Sequence, residues 1–136
     1  MNAYADLHLE NVAIPDNYME MVAEDIWEND ELPAFYLTII EITTGICYEC
    51  ALLPFEDESD DMERLNAALE ALGFEVNGYG WEEYLETFIE ENLPSVFPKL
   101  GFDSEADTCG IYVMGSLKDF RGLLAAVSRG IRELAQ

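Results

Sequence analysis

LGFEVNGYGWEEYLETFIEENL, residues 72–93, holds the sharpest turn signal and the most one-sided helix in the chain. Gly73 lies just past an apolar helical pattern, where a left-handed stop costs glycine least. Asn77-Gly78 with Gly80 offers the backbone a second place for positive φ, so a tight turn is expected there. From Trp81 onward the apolar residues Trp81, Tyr84, Leu85, Phe88 and Ile89 fall at i, i+3, i+4, i+7 and i+8, the stripe of an amphipathic helix. Glu82, Glu83, Glu86, Glu90 and Glu91 take the remaining surface. Acid in the first turn suits the helix macrodipole, whereas Glu90 and Glu91 in the last turn oppose it by about 0.3–1 kcal/mol each when exposed. Helix stability does not explain that pair. Two readings follow: a solvated face carried by packing of the apolar stripe, or an acidic blade presented to a partner.

Upstream of the turn, FEDESDDMERL is an acidic run in which Asp60 and Glu63 have capping-box spacing ahead of Met62, Leu65, Leu69 and Leu72, which predicts a helix over 61–72. Further back, AFYLTIIEIT (34–43) and ICYECALL (46–53) are dense in β-branched and aromatic types on either side of Thr44-Gly45, and predict a hairpin closed by Pro54. In its second strand Ile46, Tyr48, Cys50 and Leu52 share one face, with Cys47, Glu49, Ala51 and Leu53 on the other. Residues 5–12 alternate Leu7 and Leu9 with Asp6, His8 and Glu10, which suggests a half-buried strand. Asp16 is placed to cap a short helix with Tyr18, Met19, Val22 and Ile26 on one face, ending at WENDEL and Pro33.

Downstream, Pro94 and Pro98 make residues 93–107 a loop with a short extended piece at Leu100–Phe102. TCGIYVM (108–114) reads as a last strand. Ser116 and Asp119 then form a capping box for a closing helix with Leu117, Phe120, Leu124, Val127, Ile131 and Leu134 on its apolar face. Gly122 and Gly130 cost that helix some stability. No repeat or linker divides the 136 residues, so a single domain is expected.

Charge is the strongest global feature: 29 acids against 6 bases give −23. It is uneven, because Lys118, Arg121, Arg129 and Arg132 against Asp119 and Glu133 leave residues 117–136 at +2 and the remainder at −25. A field of this size opposes binding to nucleic acid or an anionic membrane surface and favours a basic protein, whose encounter it accelerates. Half the residues are hydrophobic, so a core accompanies the acidity. Three cysteines make no disulfide framework, the first residues lack a signal-peptide pattern, and no apolar run reaches membrane length; a cytosolic protein is expected.

Catalytic and metal signatures are weak. His8 is the one histidine and has no candidate nucleophile beside it. Cys47 and Cys50 have C-x-x-C spacing, but an offset of three in a strand sends the thiols to opposite faces, and Cys109 has no second ligand nearby in sequence. The acidic run at 57–61 lacks the glycine and the closing glutamate of a calcium loop. No cofactor and no metal are expected. A carboxylate-based hydrolase remains an alternative, since many acids offer many accidental pairs, as does an acidic interaction module for some other protein.

NGYGWEEY at 77–84 resembles an N-G-Y-x-W signature that follows an apolar helix, and FDSEADTCGIYVMGSLKDF at 102–120 resembles an F-D-x-E-A segment running into a strand and a closing helix. Both are similar to the immunity protein 51 family of bacterial polymorphic toxin systems, over roughly residues 35–136 and in the same order. Asn77, Gly78, Tyr79 and Trp81 match the first motif, and Phe102, Asp103, Glu105 and Ala106 the second. Gly80 departs from the pattern, which has a polar or acidic residue before the tryptophan, and residues 1–34 have no counterpart. The resemblance implies an α+β fold, a small antiparallel sheet with helices packed on it, in a cytosolic protein that neutralises a toxin delivered by a rival or sister cell. It supplies no catalytic site. With the charge argument, the expected partner is a basic toxin, and Glu82, Glu83, Glu86, Glu90 and Glu91 are the expected contact residues.

Overall fold

A computed structural model describes residues 2–136. Its β-rich middle is the predicted hairpin: β2 (Phe35–Ile42) and β3 (Gly45–Leu52) pair antiparallel from Phe35–Leu52 to Ile42–Gly45. β5 (Cys109–Val113) adds to β3, and β4 (Leu100–Phe102) adds to β5 as the edge. The other edge is β1 (Trp27–Asn29), which gives the order β1-β2-β3-β5-β4, antiparallel throughout. The helices are α1 (Tyr18–Glu24), α2 (Asp60–Ala71), α3 (Gly78–Asn92) and α4 (Leu117–Leu134). The fold is therefore α+β, an antiparallel sheet with helices packed on it.

Side-chain alternation decides where the helices sit. Trp27, Phe35, Leu37, Ile39, Tyr48, Cys50, Leu52, Cys109, Ile111 and Val113 share one face and one core with Leu65, Leu69, Trp81, Leu85, Ile89, Phe120 and Leu124 of the helices. Tyr48 joins both ends of that layer, with its ring 5.4 Å from Phe120 of α4 and its hydroxyl 3.0 Å from that of Tyr18 in α1. The opposite sheet face, carrying Tyr36, Ile40, Glu49, Ala51 and Tyr112, contributes nothing to this core. The molecule has two layers, with helices on one side of the sheet only.

α4 starts as its sequence predicts: Ser116 Oγ accepts from the Asp119 N–H, and Asp119 accepts from the Ser116 N–H. Gly130 is where Tyr84 of α3 reaches it, the phenol donating to the Gly130 carbonyl at 2.6 Å. A Cβ there would lie 3.2 Å from the Phe88 ring, so the glycine's cost to the helix goes with close packing of α3 on α4. α2 is capped one residue earlier than its spacing suggests, by Ser59, whose hydroxyl accepts from Met62 N–H. Leu72, expected on its apolar face, is exposed beyond its end.

Three expectations fail in the first third of the chain. Residues 5–12 form no strand but two 3-10 turns, Ala3–Asp6 and Leu9–Asn11. The alternating leucines are buried against α4, where Ser128 Oγ accepts from the Leu9 N–H at 2.7 Å. Asp16 does not cap α1; the N-cap position is Asn17, without a side-chain bond, and Met19 and Ile26 are exposed while Val22 alone is buried. The start of WENDEL, expected to end that helix, instead forms strand β1, because Trp27 pairs with Ile39 and is buried beside it.

Candidate functional site

α3 begins at Gly78, three residues earlier than its apolar stripe indicates. Asn77 caps it, with Oδ1 accepting from the Gly80 N–H at 2.8 Å, and its Nδ2 donates to Glu75. Gly78 and Gly80 do not take the positive φ expected of them; only Gly73, at 96°, makes the left-handed stop. They serve close approach instead. A Cβ on Gly78 would lie 1.9 Å from the Glu105 carbonyl oxygen, and one on Gly80 would lie 1.8 Å from that of Glu75. The earlier start also moves Glu82 and Glu83 out of the first turn, which carries no acid.

The two motif segments, separate in sequence, lock together here. The Gly78 N–H donates to the Ala106 carbonyl at 2.8 Å. Ala106 sits in a turn closed by Glu105 and Thr108, which exchange backbone hydrogen bonds. Phe102 pairs with Ile111 at the sheet edge, and the Asp103 N–H donates to the Gly110 carbonyl at 2.9 Å. Trp81 is fully buried, and its indole donates to Asn66 of α2. Asn77, Gly78, Trp81, Phe102 and Asp103 thus brace the joint between α3 and the sheet. Tyr79 differs. It is 51% exposed and borders a cleft of about 370 Å³ with Glu75, Glu82 and Glu83. A structural role fits the other motif residues but not this ring.

Of the acidic blade, Glu83, Glu90 and Glu91 are exposed and Glu82 and Glu86 are half-buried beside the stripe of Leu85, Phe88 and Ile89. None of the five takes part in an ion pair among the described residues. Five of the six bases are engaged elsewhere, and Lys118 is exposed. Arg121 donates to the carbonyls of Glu10 and Val12, and Arg132 to that of Leu7 and to His8 Nδ1. Arg129 lies over the Phe88 ring and reaches Glu133, Lys99 pairs with Asp119, and Arg64 pairs with Asp61. Two arginines of α4 therefore hold the amino-terminal turns down, and the acids of α3 keep their full field.

The remaining chemistry-bearing groups are dispersed. His8 is exposed between the two 3-10 turns, not on a strand. Cys47 and Cys50 point to opposite faces of β3, as their spacing requires, and both are buried free thiols like Cys109. Burial pushes the Cys109 thiol up to about 12 and raises those of Cys50 and Cys47, so none is poised as a nucleophile. Among the described residues no group of three or more His, Cys, Asp or Glu side chains converges as metal ligands, and no helix is long and apolar enough to cross a membrane.

Against known proteins, the sequence model described as immunity protein 51 matches residues 48–134, from the middle of β3 to the end of α4. The match contains both motif segments and the joint they build. No curated protein matches, and no solved structure matches.

Proposed function

The chain belongs to the immunity protein 51 family, and on that premise we propose that it is a cytoplasmic, non-enzymatic inhibitor that binds and neutralises a cognate, basic toxin domain of a bacterial polymorphic toxin system. The observation that carries this reading is the placement of charge. Five of the six bases, all but the exposed Lys118, are held in internal contacts, while Glu82, Glu83, Glu86, Glu90 and Glu91 stand unpaired on α3. A chain that carries −23 repels itself, and that cost is balanced when a cationic partner binds. The blade then acts on encounter, raising the association rate of a basic toxin and rejecting nucleic acid and anionic membrane. Tyr79, exposed at the blade's start among Glu75, Glu82 and Glu83, adds an aromatic contact of the kind that anchors interfaces.

The test is co-expression with the toxin domain encoded beside this chain's gene in a sensitive host. Growth should be restored, and the two proteins should co-elute on size exclusion. Restored growth without a complex would point to an enzyme acting on the toxin's product, and no restoration would remove the immunity reading.

A further inference from the structure

An antiparallel sheet with one face on the core and the other in water normally alternates apolar inside with polar outside. Here the outward side is not that of a solvated sheet. Tyr36 and Ile40 of β2, Cys47 and Ala51 of β3 and Tyr112 of β5 all lie on it, and Cys47 and Ala51 are buried although no helix covers them. Aromatic enrichment beside small buried side chains is a feature of interface cores.

One charged group stands in the middle of this face. Glu49 is opposite Thr38 on β2 and Tyr112 on β5, half-buried, and among the described residues its carboxylate has neither a hydrogen-bond donor nor a base. Asp103 is the charge that acts on it, and burial and that like charge both raise its pKa. None of the five strands contains a lysine or arginine. Beside Glu49 a hollow of about 500 Å³ opens between Tyr36, Ala51, Leu53 and Pro33, with Asp30 and Glu56 in its wall. A site with an unanswered carboxylate on its floor, apolar walls and acids around it is complementary to a lysine or arginine side chain.

We propose that the helix-free face of the sheet is the surface on which the basic toxin seats, with a cationic side chain of the toxin entering the hollow to pair with Glu49. The inference rests on the immunity reading and adds to it the place of close contact. Two observations select this occupant. A second copy of the chain would bring another −23 against the same acids. Strand addition at an edge is disfavoured because β1 and β4 have three residues each. The face also adjoins the blade: Thr108 lines the hollow, and its carbonyl is one of the two, with that of Glu105, against which Gly78 of α3 packs. Attraction by α3 and seating on the sheet thus border one turn.

The experiment measures the affinity of an inactivated form of the toxin domain encoded beside this gene for three variants. Glu49→Gln removes the charge and keeps the shape. Thr38→Arg blocks the face, and lies between Glu28 and Glu49, which can pair with it without strain on the fold. Glu70→Lys, exposed on α2, controls for net charge. Glu49→Gln and Thr38→Arg should each raise Kd tenfold or more, chiefly through faster dissociation, with melting temperatures at or above wild type, while Glu70→Lys should change Kd less than threefold. If wild type binds and both face variants bind within threefold of it, the immunity reading stands and the seat lies elsewhere. If wild type sediments as a dimer that Thr38→Arg dissociates, a second copy covers the face and the inference is overturned. If wild type does not bind, both readings fall.

Discussion

The indole N–H of Trp81 donates to Oδ1 of Asn66 at 3.0 Å, joining α3 to α2 inside the core, and the Asn66 Nδ2 donates on to the Pro54 carbonyl in the turn that follows β3. One asparagine thus ties two helices to the turn that leaves the sheet. Trp81→Ala should cost about 3–5 kcal/mol, the range for emptying a buried aromatic site. Asn66→Ala should cost about 1–3 kcal/mol, because it leaves a buried N–H without a partner. Denaturant midpoints check both; an unchanged midpoint for Trp81→Ala would place the helix faces the wrong way round.

Gly78→Ala should destabilise by about 1–3 kcal/mol, since the added carbon must push apart α3 and the Glu105–Thr108 turn. The same change at Gly73, where φ is 96° and nothing lies within 4 Å, brings only backbone strain. Hydrogen exchange of residues 103–110 separates the two, with protection lost there in Gly78→Ala and kept in Gly73→Ala.

These glycines mark the limit of what local sequence conveys. The hairpin, the α4 capping box and the α3 stripe were legible because each is written within about a dozen residues by period and cap chemistry. Gly78 and Gly80 read as turn residues, yet their role is set by Glu105, Thr108 and Glu75 pressing on the backbone. Leu7 and Leu9 alternate like a strand, but Arg121, Arg132 and Ser128, more than a hundred residues away, decide their conformation. The acids of the blade were visible as a list, whereas the isolation of Glu49 depends on which strands flank it and which face the helices leave bare.

Stability should depend on pH through Glu49 in an unusual sense for a carboxylate. Burial first, then Asp103, raises its pKa in the folded chain, so its contribution is fully present below the unfolded value of about 4.3 and is lost as pH rises through the raised folded value. Glu49→Gln should therefore match wild type at low pH and exceed it at neutral pH. Paired denaturation curves at several pH values test this; a difference constant with pH would show that the carboxylate is well solvated.

Converting Glu82, Glu83 and Glu86 to lysine should slow association with the toxin while leaving fold stability equal or higher, because like charges are removed. Added salt should slow wild-type association as the field is screened beyond about 8–10 Å. Stopped-flow mixing at two ionic strengths reads both effects. Equal low-salt rates for wild type and the triple variant would reduce the blade to a solvated face.

The most direct measurement is titration of the toxin's own activity with the purified protein. Activity should fall in proportion to added protein until it is abolished, with inhibition weakening as salt rises. Full activity in the presence of a large molar excess would contradict the account, whatever the surfaces of α3 and the sheet look like.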